Sequence, residues 1–448
     1  MISLVDIRSP KQRLVGENSR ANWFRYYAGF SVGFVEDILD RLHLPIGATL
    51  LDPWLGAGTT SQVATSKGFK IRGYDLNPAM VLVARARTLP SSAAGEIPQT
   101  MLDISRSYVR RLKRIAHGPL ETDDSLQQWL QPRSARSFRL LERSVAKIVS
   151  HNSSSSLGPL WMRPSDATPT LAFFYVALFR TFRHFISAFE CSNPTWVRVP
   201  ATGNRIQVSP ERLLNRFRKE TEDLVNMLQT ETLVMPLVGS RACVIQRASS
   251  LELPLPSRSV DAVISSPPYC TRIDYVRATL PELAVIGHPN GHSIRQLREN
   301  MIGTPTIDKS NNYQTTTWGN TCSRFLSLVE QHSSKASSTY YLKYFRQYFS
   351  AAFASLCEID RVLRDSAYCV LVLQDSYYKE VRNDLPAIFG EMCEILGWKL
   401  VQEQPYKVMQ TLAGVNPEVK AYRSNFHATE SVLVLIKKQA IRHQLQRI

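Results

Sequence analysis

A short apolar run that leads through a glycine-rich turn into a helix constrains the fold of this chain more than any other feature. The apolar run at residues 49–52 continues into Asp52-Pro53-Trp54-Leu55-Gly56-Ala57-Gly58-Thr59-Thr60. Helical apolar spacing follows over residues 59–66, and a second strand pattern ends at Asp75. Strand, loop, helix and strand in this order predict a parallel β-α-β unit. The chain is therefore predicted to be an α/β protein with a Rossmann-like sheet.

The rest of the chain is predicted to be a split α/β unit that carries a long, mostly helical insertion. Residues 1–90 hold the glycine loop, and residues 241–438 resume the α/β pattern. Residues 91–240 show helical spacing with Ser-rich and Pro-rich breaks, and residues 439–448 form a basic tail. Within the second α/β part, strands are expected at residues 242–246, 260–265, 368–373 and 431–436, the last two as a closing hairpin-like pair, whereas the stretch up to about residue 338 has no clear periodicity.

The charge of the chain favours a polyanionic partner. It has 54 Lys and Arg against 38 Asp and Glu, a formal net charge of +16, and residues 101–247 hold 21 of the basic residues against 12 acidic ones. Such an excess suits nucleic-acid phosphates. The seven cysteines form no CxxC pair and no zinc-ligand spacing, so neither a disulfide framework nor a metal site is expected. The longest apolar run has nine residues, and we expect a cytoplasmic protein with no membrane partner.

The glycine loop and Asp75 together predict a nucleoside-cofactor site. Gly56 and Gly58 let the backbone approach a ligand closely, and the N–H groups at the start of the next helix face it. Asp75, 17 residues after Gly58, ends the next strand, where a carboxylate can accept hydrogen bonds from both ribose hydroxyls. The alternative interpretation is a plain tight turn with Asp75 as a helix cap.

A second motif predicts a site for a planar amino group. The apolar strand at residues 260–265 runs directly into Ser266-Pro267-Pro268-Tyr269. Two consecutive prolines fix an extended turn and remove two N–H donors. The Ser266 hydroxyl and nearby carbonyls can then accept hydrogen bonds from an exocyclic amine, while Tyr269 can stack on a base. The alternative is a turn after an edge strand.

Both motifs resemble those of class I S-adenosylmethionine-dependent DNA amino-methyltransferases. DPWLGAGTT is similar to the DPFxGSGTT form of their cofactor loop, SPPY is similar to their motif IV, and the aromatic stretch at residues 22–31 resembles the segment before the loop. The resemblance covers residues 18–90 and 240–438 and implies S-adenosylmethionine as cofactor. It assigns catalysis to Ser266, Pro267, Pro268 and Tyr269, and cofactor binding to Phe30, Asp52, Pro53, Gly56, Gly58, Thr59, Asp75 and Ser249.

The resemblance also implies the reaction. Ser in the first position of motif IV is most often seen with N4-cytosine targets and Asp or Asn with N6-adenine, so Ser266 favours N4 of cytosine. Direct attack of the amine on the methyl group needs no Cys intermediate, which disfavours Cys270 as a nucleophile. The family's Asp that contacts the cofactor adenine is absent, and Ser249 is the candidate in its place. An N6-adenine enzyme, an RNA base methyltransferase and a catalytically silent nucleic-acid-binding subunit stay open as alternatives.

The basic insertion is predicted to recognise the DNA substrate, because amino-methyltransferases of the alpha arrangement place target recognition between these two motifs. Arg133, Arg136, Arg139 and Arg143 have near-helical spacing and are predicted to line phosphates. Trp196 and Arg272 are further candidates for nucleotide contacts. The alternatives are a solvated basic face and an ion pair between Arg272 and Asp274. No nuclease motif is evident, so a role in restriction–modification would need a separately encoded endonuclease. A role in phage defence would need a separately encoded subunit of the defence system.

Overall fold

The computed structural model describes residues 4, 6–11, 19–24, 26, 29–114, 123–150, 159–191, 197–230, 242–271, 273–307, 318–408 and 428–439. The strands are β1 Thr49–Asp52, β2 Lys70–Asp75, β3 Cys243–Arg247, β4 Val260–Ser265, β5 Leu363–Gln374, β6 Ser376–Tyr378, β7 Val381–Asn383, β8 Trp398–Val408 and β9 Ala428–Lys437. The helices are α1 Val32–Leu42, α2 Thr59–Ser66, α3 Pro78–Ala86, α4 Ile97–Arg114, α5 Pro132–Val149, α6 Pro169–Ile186, α7 Pro210–Thr230, α8 Tyr275–Ala278, α9 Leu280–Val285, α10 His292–Asn300, α11 Asn320–Gln331, α12 Leu342–Val362 and α13 Leu385–Ile395.

Seven strands form one sheet in the order β3-β2-β1-β4-β5-β9-β8. The pairs among β3, β2, β1, β4 and β5 are parallel, and β9 runs antiparallel to both of its neighbours. The strand order therefore reverses direction between β1 and β4, and in open α/β sheets such a switch point opens a crevice at the carboxyl ends of the strands. The predicted Rossmann-like sheet and its β1–β2 parallel pair are confirmed.

Local sequence signals explain the elements that flank the crevice. The Ser31 hydroxyl accepts a hydrogen bond from the Phe34 N–H at 3.2 Å and caps the start of α1. Helix α2 begins immediately after Gly58, whose φ of 82° is in the left-handed region. Leu50 and Leu51 of β1 are fully buried. Both faces of β1 are therefore covered, as the continuous apolar run predicts.

The helices α4 to α7 lie between β2 and β3 in the chain and pack against the first α/β segment. Trp23 meets Phe173 of α6 edge to face, with ring centroids 5.3 Å apart. Phe174, Phe179 and Phe182 of the same helix are fully buried. These rings therefore form part of a helical core and present no exposed surface on which a base could stack.

Helix α6 is also tied to two other parts of the chain by arginines. Arg180 donates from Nη1 to the Asn22 carbonyl at 3.0 Å, in the segment before α1. Arg183 donates to both carboxylate oxygens of the buried Glu282 in α9, at 2.6 and 2.9 Å. The insertion is thus held by charged hydrogen bonds to the segments on either side of it.

The structure differs from the sequence prediction in two regions. The stretch from residue 270 to about 338 contains α8, α9, α10 and α11, which have only four to twelve residues each and are too short to give a sustained helical period. Strands β5 and β9 do pair antiparallel, but they are not a hairpin, because β6, β7, α13 and β8 separate them in the chain. In the described part of the chain, no helix has both the length and the apolar character needed to cross a membrane.

We expect Gly58→Ala to destabilise the protein more than Gly47→Ala. Both glycines have φ of 82°, so each alanine bears the left-handed strain of about 1–2 kcal/mol. A Cβ at Gly58 would lie 2.6 Å from Cβ and 2.7 Å from Cα of Ala84, whereas a Cβ at Gly47 meets nothing within 4 Å. The extra overpacking cost at Gly58 is about 1–3 kcal/mol. Urea unfolding of both variants measures the difference, and equal losses would show that α2 and α3 do not pack closely here.

Candidate active site

A cleft opens at the carboxyl ends of β1, β2 and β4, and its empty volume, which includes space open to solvent, is about 860 Å³. Residues from both predicted motifs line it: Phe30, Asp52, Pro53, Gly56, Thr59, Asp75, Ser266, Pro267, Pro268 and Tyr269. The fold thus brings the glycine loop and the SPPY turn, which lie about 200 residues apart, to one cavity.

The Asp75 side chain is hydrogen-bonded to the backbone of the glycine loop at the end of β2. Asp75 accepts hydrogen bonds from the Gly56 N–H at 2.9 Å and from the Asn77 N–H at 2.8 Å, one on each carboxylate oxygen. Gly56 has φ of 51°, and a Cβ there would lie 2.8 Å from Cε1 of Tyr26. Burial raises the pKa of Asp75 to about 6, against the opposing effect of these two hydrogen bonds. The carboxylate is therefore oriented before any ligand binds.

Asp52 connects the glycine loop to β4. Its Oδ1 accepts hydrogen bonds from the Ser265 hydroxyl at 2.5 Å and from the Trp54 N–H at 3.2 Å. The side chain is almost fully buried, and burial raises its pKa to about 6. This contact locks the end of β1 to the residue that immediately precedes the SPPY turn.

Hydrogen bonds to three different elements hold the SPPY turn. The Ser266 hydroxyl donates to the Val372 carbonyl of β5 at 3.0 Å. Tyr348 of α12 donates from its hydroxyl to the Pro268 carbonyl at 2.8 Å. The Tyr269 N–H donates to the Tyr275 hydroxyl at 3.1 Å. With its hydrogen donated to Val372, the Ser266 hydroxyl offers its oxygen as an acceptor to a ligand.

The Tyr269 side chain is anchored at its hydroxyl. The hydroxyl donates to Oε1 of Glu430 in β9 at 2.9 Å. Burial, followed by the negative charge of Glu430, raises the pKa of Tyr269 well above its usual range, so the phenol stays neutral. The half-buried ring lines the cleft as an aromatic surface.

Two predicted cofactor residues lie elsewhere. Gly58 is not among the residues that line the cleft, and its close neighbour is Ala84 of α3. Ser249 is also absent from the lining, and its hydroxyl accepts a hydrogen bond from the Leu251 N–H at 3.2 Å. The residues on either side, Ala248 and Ser250, do line the cleft. Direct contact of Gly58 and Ser249 with a cofactor therefore stays a prediction.

Arg247 occupies the end of β3, two residues before Ser249. Its Nε donates to the Leu76 carbonyl and its Nη1 to the Trp161 carbonyl, both at 3.2 Å. Burial lowers the pKa of Arg247. The guanidinium therefore joins the end of β3 to the backbone at Leu76 and Trp161.

The predicted phosphate-lining arginines of α5 fall into two groups. Arg133 and Arg143 are exposed and Arg136 is half-buried, so their role stays a prediction. The prediction for Arg139 is wrong. Arg139 is buried and makes a bidentate ion pair with Asp124, at 2.9 Å for each bond, while its other N–H groups donate to carbonyls of α9. Near-helical spacing grouped the four arginines, but tertiary contacts separate them.

The other predicted nucleotide-contacting residues, Trp196 and Arg272, lie outside the described residues. The suggested partner of Arg272 has a different contact here. Asp274 accepts from Nε of Arg298 at 2.7 Å and caps α8 through the Arg277 N–H at 3.0 Å. Asp274 therefore has a structural role in the turn after the SPPY motif.

The sequence analysis missed some residues of the cleft. Met301 and Ile302 line it and come from the stretch without periodicity. Tyr275 also lines it, and its position shortly after Tyr269 makes it, with Arg272 and Asp274, a predicted candidate for holding the target nucleotide. Tyr26, which lies over the glycine loop, belongs to the aromatic stretch but was not singled out. The available signal for Tyr26 was the aromatic run itself.

Comparisons with known proteins found a relative in sequence and a distant likeness in structure. No family model matches the chain. The chain is 24% identical over 302 residues to the type II methyltransferase M.BsoBI of Geobacillus stearothermophilus. The aligned region covers 64% of this chain and 57% of that protein. The chain thus spans little more than half the length of that relative. The solved structure of the rRNA methyltransferase aviRa from Streptomyces viridochromogenes aligns with 95% of this chain and 96% of its own at 10% identity, but the TM-score is only 0.29.

Proposed function

We propose that this chain is an S-adenosylmethionine-dependent methyltransferase that acts on the exocyclic amino group of a base in DNA, N4 of cytosine. The observation that carries the proposal is that the glycine loop with Asp75 and the SPPY turn line one cleft. The similarity of 302 residues to a type II methyltransferase supports the same activity and a DNA substrate.

The residues present fit a nucleoside cofactor. The left-handed Gly56 leaves room that a side chain would fill, and the Asp75 carboxylate is held at the cleft by backbone N–H groups. A carboxylate in this position is suited to accept hydrogen bonds from ribose hydroxyls. Phe30, also in the lining, supplies an apolar surface. When bound, S-adenosylmethionine supplies an electrophilic methyl group on a positively charged sulfur.

The SPPY turn supplies acceptors and a stacking surface for the target base. The oxygen of Ser266 accepts an N–H of the exocyclic amine, which directs the nitrogen toward the methyl group. The Tyr269 ring stacks on a base that has been turned out of the duplex. Transfer would form a bond from the nitrogen to the methyl carbon and break the carbon–sulfur bond of the cofactor, leaving the neutral thioether, while the nitrogen would release one proton to water. Rate enhancement would come mainly from alignment of the two reactants by the SPPY turn.

A neutral serine in the first position of the motif supports cytosine. The hydroxyl of Ser266 is committed as a donor to Val372, so it offers the amine a neutral acceptor. In the family that the motif resembles, this residue accompanies N4-cytosine targets, whereas an acidic or amide side chain accompanies adenine. DNA is favoured over RNA by the relative's activity as a type II methyltransferase.

The proposal is tested by incubating the purified chain with methyl-labelled S-adenosylmethionine and either genomic DNA or total RNA. The polymers are digested, and the labelled nucleoside is identified by mass spectrometry. We expect N4-methyldeoxycytidine. Labelled N6-methyldeoxyadenosine would overturn the cytosine assignment, and label found only in RNA would overturn the DNA assignment. Cofactor binding without transfer to either polymer would favour a silent nucleic-acid-binding subunit.

Ser266→Ala is expected to lower kcat by on the order of 100-fold, the size of effect seen when one well-placed catalytic hydrogen bond is lost. Affinity for S-adenosylmethionine should stay within twofold of wild type, because Asp75 and the glycine loop are unchanged. Ser259→Ala is the matched control, since Ser259 precedes β4 at the opposite end of the strand and donates to the Pro256 carbonyl. A Ser266→Ala enzyme with normal kcat would place the amine acceptor elsewhere.

S-adenosylmethionine affinity is expected to fall as the pH is lowered from 7 to 5. Burial raises the pKa of Asp75 to about 6. Because the ionised carboxylate is the better acceptor for ribose hydroxyls, the affinity for S-adenosylmethionine should be highest above that pKa and decline below it. At pH 7.5, Asp75→Ala should bind more weakly by about 1.5–3 kcal/mol. Asp40→Ala, which removes an exposed carboxylate of α1, is the control. Calorimetry measures each affinity, and tight binding by Asp75→Ala would contradict the assignment.

A further inference from the structure

The closing strand β9 places a carboxylate behind the SPPY turn. Glu430 is only 5% exposed, and its Oε1 accepts the hydrogen bond of the Tyr269 hydroxyl at 2.9 Å. Its second oxygen, Oε2, is buried and has no hydrogen-bond partner among the described residues. Glu430 does not itself line the cleft. The hydrogen bond of its side chain to Tyr269, which does line the cleft, is therefore a direct route from Glu430 to a ligand.

A buried carboxylate with only one of its two oxygens hydrogen-bonded is destabilising at this position. Burial raises the pKa of Glu430, and the hydrogen bond from Tyr269 and the positive charge of Lys11 only partly oppose that effect. The second oxygen has lost its hydration and gains no hydrogen bond among the described residues. Val432 and Val434 further along the same strand are fully buried and apolar, so an apolar side chain at residue 430 would suit the sheet better. Local costs of this kind are typical of residues at functional sites.

The rest of the turn is fixed without Glu430. Bonds from the Tyr348 hydroxyl to the Pro268 carbonyl and from the Tyr269 N–H to the Tyr275 hydroxyl hold the backbone. Neither contact restrains rotation of the Tyr269 side chain about its own bonds. The hydrogen bond to Glu430 is made by the Tyr269 hydroxyl, the part of the side chain farthest from the backbone, and it therefore restrains the orientation of the ring.

We propose that Glu430 is a positioning residue that sets the orientation of the Tyr269 ring against the target base. The inference rests on the proposed function, in which Tyr269 stacks on that base. A ring held in the stacking orientation receives the flipped base without further ordering, and the amine then reaches the acceptor on Ser266. Loss of the anchor leaves the cofactor site intact but lets the base bind in unproductive orientations.

The test compares Glu430→Leu, which removes the acceptor, with Glu430→Gln, which keeps an amide oxygen in the same place. We expect kcat on genomic DNA to fall on the order of 10-fold or more for Glu430→Leu, with affinity for S-adenosylmethionine within twofold of wild type. Glu430→Gln should recover most of that loss. Equal losses in the two variants, or none in Glu430→Leu, would overturn the inference.

A double-mutant cycle with Tyr269→Phe identifies the route of the effect. If Glu430 acts through the Tyr269 hydroxyl, Glu430→Leu should cause no further loss of kcat in the Tyr269→Phe background. If the factor by which kcat falls in the double variant is instead the product of the factors in the two single variants, the inference is overturned. A crystal structure of Glu430→Leu gives a readout that does not depend on activity, and a Tyr269 ring in its original orientation would contradict the proposal. A wild-type chain that methylates neither DNA nor RNA would instead refute the proposed function itself.

Discussion

The cleft depends on the parallel pairing of β1 with β4. Leu50 lies opposite Ala262 and Leu51 opposite Val263, which brings the ends of both strands to the same edge of the sheet. The buried hydrogen bond between Ser265 and Asp52 then joins the two loops that follow. The outer neighbours complete the cleft, because β2 ends at Asp75 and β5 carries the carbonyl that accepts from Ser266.

Short-range patterns predicted both motifs and six of the seven strands of the sheet, but not β8. β1, α2 and β4 have the predicted bounds, because each combines a clear period with a turn signal at its end. Contacts between distant parts of the chain were not predictable in this way. Arg139 has the same helical spacing as Arg136, and only Asp124 and the carbonyls of α9 make it a buried structural residue. Glu430 lies 161 residues from Tyr269, and the strand pattern around it gives no sign of that contact.

The two kinds of charge are separated in a way that suits the proposed reaction. The carboxylates of Asp52 and Asp75 line the cleft, where burial raises both pKa values to about 6. Residues 101–247 hold 21 basic against 12 acidic residues, and Arg133 and Arg143 among the basic ones are exposed. A cationic sulfonium cofactor and a polyanionic substrate would therefore each meet charge of the opposite sign.

The hydrogen bond from Ser265 to Asp52 joins residues 213 positions apart in the chain. At roughly 5–20 residues per second, a ribosome needs about 10–40 s to synthesise that interval. Until β4 arrives, one side of the apolar strand β1 has no partner, and an open strand edge can pair with other chains. The length of the insertion thus sets how long the centre of the sheet stays exposed during synthesis.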